Sequence, residues 1–238
     1  DLLYLETPTN PTIKIIDLVR LARAGKKIGA IVVVDNTFAT PINQQPLALG
    51  ADLVLHSATK FLGGHADAMG GVVCGNKELI NQIYHYREIN GATLDPMSAY
   101  LLLRGMKTLA LRIERQNQSA LEIARYLDSH PKIEKVFYPG LESHEGHQIA
   151  KKQMTGFGGM LSFILKENIF EAVGTVLAHL KYAHSAANLG SVETIVGPPA
   201  TTSHVECSKQ EREAMGIPES LIRYSTGIED IRDLVDDL

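Results

Sequence analysis

The chain has 238 residues, is 45% hydrophobic and carries a formal net charge of −4. That is apolar material for one large domain or two small ones, and a charge balance without long runs of either sign excludes a nucleic-acid footprint and a basic membrane face. No apolar stretch approaches the length of a membrane span, the opening residues do not read as a signal peptide, and the two isolated cysteines, Cys74 and Cys207, fit a reducing, cytoplasmic setting.

Leu2–Leu5 reads as a buried strand with no lead-in, as expected of a piece of a longer domain. Glu6-Thr7-Pro8-Thr9-Asn10-Pro11 follows, kept out of helix by its prolines. Asp17 is placed to cap a helix with Leu18, Leu21 and Ala22 on one face, and Gly25 and Gly29 bracket its end. Ile31–Val34 predicts a buried parallel strand that stops at Asp35. An irregular segment to Pro46, a helical turn over Leu47–Gly50 and a third strand, Leu53–Leu55, come next. The order predicts a parallel α/β sheet, in which ligands gather outside the carboxyl ends of the strands. Asn10, Asp35 and Lys60 lie at or just after such ends and are spaced 25 residues apart, so topology alone brings them to one rim.

Gly71–Cys74 reads as a further strand and Lys77 to about Arg87 as a helix. Asp95-Pro96 makes a helix start, and one long helix is expected from Pro96 to about Ser129, crossing from one domain to the next. From Pro131 short strands (Val136–Tyr138, Met160–Leu165, Leu221–Ser225) alternate with helices (Phe170–Leu180, Gln210–Ala214) and an acidic helix ends the chain. The expected division is 1–112, the later portion of a large α/β domain, and 113–238, a smaller C-terminal α/β domain.

Lys60 stands at the mouth of a strand, among small residues and beside Ser57 and Thr59, whose hydroxyls can hold a phosphate. A lysine in that setting suits an amine nucleophile that forms an imine with a carbonyl; the plain alternative is a surface lysine in a turn. Asp35, a carboxylate ending a buried strand, needs a cationic partner: a nearby basic residue, a helix to cap, or a protonated ring nitrogen. Pyridoxal phosphate (PLP) asks for that pair, a lysine on its aldehyde and an acid against its pyridinium. Asn10 either shapes the Asn-Pro turn or hydrogen-bonds cofactor or substrate. Arg223, inside Leu221–Ser225, is either an outward surface residue or a bidentate clamp for an α-carboxylate. His56, His65 and Asp67 fit no zinc spacing, and no metal is expected.

The strings VVVDNTFATP, ADLVLHSATKFLGGHADAMGGVV, RGMKTLALRIERQ and LIRYSTGIED resemble the Cys/Met-metabolism family of fold-type I PLP-dependent enzymes, which includes cystathionine and methionine γ-lyases, cystathionine γ-synthase and O-acylhomoserine sulfhydrylases. The resemblance runs the length of the chain. It implies the imine at Lys60, the pyridine-nitrogen partner at Asp35, phosphate at Ser57 and Thr59, cofactor or substrate contact at Asn10, and substrate carboxylate at Arg223. It further implies a small amino-acid substrate and a homotetramer built of dimers sharing active sites. The family's chains are longer at the N-terminus, where a glycine-containing phosphate loop, a ring-stacking tyrosine and residues lent to the neighbouring subunit lie; the chain is therefore expected to be incomplete as an enzyme. Asn188 stands where many members have serine, and Ala187 where cystathionine-specific members often have an acid. Asn188 is thus a substrate-binding candidate, and the pair leans towards an apolar thioether such as methionine, or towards the sulfhydrylases. The reading is γ-elimination on cystathionine or methionine, with γ-replacement as the alternative and a non-catalytic remnant as the remote one.

Overall fold

The computed structural model describes residues 1–238. Branched apolar runs build the first sheet. β1 (Leu2–Glu6), β2 (Ile31–Asp35) and β3 (Leu53–Ser57) are parallel neighbours in that order, and β4 (Gly71–Gly75) pairs antiparallel with β3. α1 (Leu18–Lys27) makes the crossover between β1 and β2; the Asp17 side chain accepts from Arg20 N at 2.9 Å, as its position before the helix predicts. A short α2 (Thr40–Asn43) lies in the segment between β2 and β3. The central strand β2 buries Val32, Val33 and Val34, as its unbroken apolar run requires. β1 does not match the expectation of a buried strand. It is the edge, and Leu2 and Tyr4 are 62% and 52% exposed, because only the face carrying Leu3 and Leu5 meets α1.

α3 (Lys77–Asn90) buries none of its side chains. The long helix expected from Pro96 is two helices, α4 (Pro96–Met106) and α5 (Leu109–Ser129). The break has a local cause. Gly105 O is claimed by Thr108 N at 3.2 Å, by Thr108 Oγ1 at 3.2 Å and by the Arg112 guanidinium at 2.9 Å, so the helical ladder is interrupted there.

The second sheet is built from β5 (Ile133–Phe137), β6 (Met160–Leu165), β7 (His184–Ser185), β8 (Ile195–Gly197) and β9 (Leu221–Ser225), with α6 (His147–Gln153), α7 (Phe170–His179), α8 (Lys209–Ala214) and α9 (Ile231–Asp237) between and after them. Its order is β5-β6-β9-β8-β7, antiparallel except for β7 against β8. α5 and α9 cover one face, burying Phe163, Ile222 and Tyr224 with Ile123 and Leu127. A second cluster lies between the two sheets: Ile13, Phe61, Leu62, Ile113, Met160 and Leu189. No helix is long and apolar enough to cross a membrane.

Candidate active site

A cleft at the carboxyl ends of β1, β2 and β3 is lined by Asn10, Asp35, Ser57 and Lys60, together with Glu6, Pro8, Thr37, Phe38 and Leu189. Four sequence-predicted residues therefore meet where the parallel order places them. Asp35 closes β2 and is held twice: Thr37 N–H donates to Oδ1 at 2.9 Å and Tyr4 O–H to Oδ2 at 3.3 Å. No basic side chain forms an ion pair with it. Lys60 interrupts the helical winding of Ala58–Leu62 with a non-helical ψ of −127°, and its side chain lines the cleft. Its Nζ donates to Asn188 Oδ1 at 2.7 Å. Burial, and secondly the charge of Arg223, hold the Lys60 amine below the ordinary lysine range.

The outward-facing alternative for Arg223 does not hold. All five residues of β9 are buried, because helices cover one face and the first sheet's loops the other. Ile222 and Tyr224 enter the helix-covered core, and Arg223 takes the opposite face at 3% exposure. It donates to Asn10 Oδ1 at 3.1 Å and to Asn188 O at 3.2 Å, and no carboxylate pairs with it. Burial lowers its pKa to about 10. Asn188 thus touches both cations of the site, one through its amide oxygen and one through its backbone.

Three predicted residues are not in the cleft lining: Asn188 and Arg223 meet it through their hydrogen bonds to Lys60 and Asn10, and Thr59 is turned away. The Thr59 hydroxyl accepts from Gly70 N at 3.1 Å and donates to Gly70 O at 3.4 Å, which leaves a lone pair but no free proton unless that long bond opens. Ser57 lines the cleft, and its N–H is held by Thr37 Oγ1 at 2.8 Å.

Sequence reasoning missed Thr37, Tyr4, Glu6 and Gly190. Thr37 was within reach: an aspartate at a strand end that accepts from the N–H two residues on is a common turn device. Tyr4 was hidden in a strand read as buried, and Glu6 in the proline-bounded segment after it. Gly190 has φ +79°, and a Cβ there would sit 2.7 Å from Phe61 N and 3.1 Å from the Lys60 carbonyl carbon. Only glycine lets the Asn188 loop lie against the lysine turn.

The whole chain, residues 1–238, matches the family described as Cys/Met metabolism PLP-dependent enzyme. An L-methionine gamma-lyase of Fusobacterium nucleatum subsp. polymorphum is 50% identical over 99% of this chain and 60% of its own length. A cystathionine gamma-lyase of Bacillus subtilis is 47% identical over 99% of this chain and 62% of its own. A crystal structure of cystathionine gamma synthase from Xanthomonas oryzae pv. oryzae superposes with a TM-score of 0.97 at 43% identity, covering 100% of this chain and 61% of that one. The chain spans about three fifths of the length of these relatives. A match over every residue, with a fold shared at this identity, means that the chain belongs to the Cys/Met metabolism PLP-dependent enzymes.

Proposed function

We propose that the protein carrying this chain performs γ-elimination on cystathionine or methionine, giving a 2-oxo acid, ammonia and a thiol. One observation carries the reading: a lysine amine of lowered pKa borders a cleft with a carboxylate that has no cation and a buried guanidinium that has no anion. An unpaired charge withdrawn from water is costly, and a half-buried carboxylate with a buried guanidinium in one site suits a ligand that brings both counter-charges.

The donor set fits PLP. Lys60 would hold its aldehyde carbon, Asp35 its protonated ring nitrogen, Ser57 its phosphate, with Thr59 joining once its long bond to Gly70 O opens, and Asn10 its ring oxygen or the substrate. When bound, PLP supplies an electron-withdrawing ring that accepts the electrons released at the substrate Cα. The chain supplies the remainder. Arg223 seats the α-carboxylate in a bidentate fork and fixes the substrate's rotation. Lys60, neutral in a larger fraction than an exposed lysine, takes the proton from Cα. Asn188 restrains the Lys60 amine between transfers. Asp35, pinned by Thr37 and Tyr4, keeps its negative charge aimed into the cleft.

γ-Replacement is the second reading, supported by the cystathionine gamma synthase whose fold the chain shares and by the Ala187-Asn188 pair. We also infer a homo-oligomer, supported by an exposed apolar surface on α3 and α4 (Tyr86, Ile89, Met97, Leu103), a cytoplasmic location, supported by two free cysteines, and the division 1–112 and 113–238. The test is an absorbance spectrum of the full-length protein, then mixing with L-methionine, L-cystathionine and O-acetyl-L-homoserine, with and without sulfide. Release of 2-oxo acid without added thiol is expected. Turnover only with an acyl ester and a thiol together would establish replacement. A colourless protein, even with PLP added, would leave a non-catalytic remnant.

A further inference from the structure

We propose that Arg112 is a positioning residue that clamps the turn carrying Lys60 and so sets where the lysine amine points. Arg112 lies in the first turn of α5, 4% exposed, and forms no ion pair. A buried guanidinium without a carboxylate must find other acceptors. It finds backbone carbonyls. NH1 donates to Phe61 O at 2.8 Å; NH2 donates to Gly105 O at 2.9 Å and to Leu62 O at 3.4 Å; Nε donates to Thr108 Oγ1 at 3.1 Å.

Two of those acceptors are the residues directly after Lys60. The turn's other end-carbonyls are met by its own backbone: Gly63 N donates to Ala58 O at 2.9 Å and Gly64 N to Lys60 O at 2.8 Å. Arg112 therefore supplies the donors that a helix continuing past Leu62 would have supplied, and lets the turn stop with its carbonyls satisfied. The space around it is made by glycine. A Cβ on Gly64, which has φ +74°, would lie 2.2 Å from Arg112 NH1, and a Cβ on Gly105 would lie 2.1 Å from Gly63 O. On the opposite side the Gly190 loop presses against Phe61 and Lys60, and Val192 N donates to Gly64 O at 2.9 Å. The lysine turn is held from both sides, by a planar fork and by a loop that also carries Asn188. Lysine cannot replace the fork: one ammonium on a flexible stem cannot serve carbonyls at 61, 62 and 105 in one plane.

The inference rests on the proposed function for what Lys60 does, and the experiment separates the two. Arg112→Lys keeps the charge and removes the fork; Gly64→Ala keeps Arg112 and pushes its guanidinium aside. In the full-length, PLP-loaded protein both variants are expected to bind PLP and melt within a few degrees of the parent. Their kcat falls by about tenfold or more while KM stays within about twofold, since delivery of the amine and not substrate seating is disturbed. The pH midpoint of the bound-PLP absorbance band moves by about half a unit or more. Parent-like kcat and midpoint in both variants would overturn the clamp, as would activity lost only in proportion to folded protein. A parent protein with no visible band would fail the functional reading alone. Amide exchange at Phe61–Gly64 then still reads the clamp, with acceleration of about tenfold expected in Arg112→Lys and unchanged exchange overturning it.

Discussion

Asn10, Asp35 and Lys60 reach the cleft from at or just beyond the carboxyl ends of β1, β2 and β3, whereas Arg223 meets its Asn10 wall from the middle of β9. A parallel sheet has all its strand ends pointing one way, so its polar residues collect on a rim and can sit in loops. An antiparallel sheet has no such rim. It delivers a group through the face of a strand, and the group must then be buried among its neighbours. The two routes give different electrostatics. The rim residues are half-buried and open to solvent, while Arg223 is enclosed with two neutral oxygens for company.

The comparison can be broken most directly at the rim. Lys60→Ala is expected to lower turnover by about a thousandfold or more, because it removes the base itself; steady-state release of 2-oxo acid at the parent's rate would remove Lys60 from the chemistry. On the strand face, Arg223→Ala is expected to raise KM by about 10–100-fold with a smaller effect on kcat, the loss of one charge-assisted pair. An unchanged KM would move the carboxylate site elsewhere. Gly190→Ala joins the two regions, since its methyl must displace the lysine turn. A fall in kcat of about tenfold is expected, and a parent-like rate would show that the Asn188 loop does not fix Lys60. The smallest effect is in pH. Lys60 acts in its neutral form, so its contribution grows as pH rises through its pKa, which burial and Arg223 hold low. At saturating substrate the acid limb of kcat should shift to higher pH, by a fraction of a unit, in Arg223→Leu, since one of the two lowering causes is gone. A limb that stays in place would assign it to another group.

The rim was legible because strand runs, an intervening helix and the 25-residue spacing all report on one parallel sheet. The match over the full chain bears out the family read from the SATK and DNT segments. Arg223 was only half legible. Period-two alternation separates it from Ile222 and Tyr224 but does not say that both faces of β9 are covered. The break at Lys107-Thr108 was invisible because periodicity does not report which side chain claims a carbonyl: Thr108 and Arg112 both bond Gly105 O, and the same guanidinium also bonds Phe61 O. The exposure of β1 escaped for the opposite reason, since an apolar edge strand and an apolar central strand have the same composition.

The enclosure of Arg223 also bears on which molecules the cleft turns away. A guanidinium already stripped of water, with only amide oxygens beside it, has nothing to fall back on when an incoming amine lacks an acidic end. Decarboxylated thioethers and simple alkylamines would leave that charge stranded, at a penalty of about 3–5 kcal/mol, and would be rejected by what they omit without any steric gate.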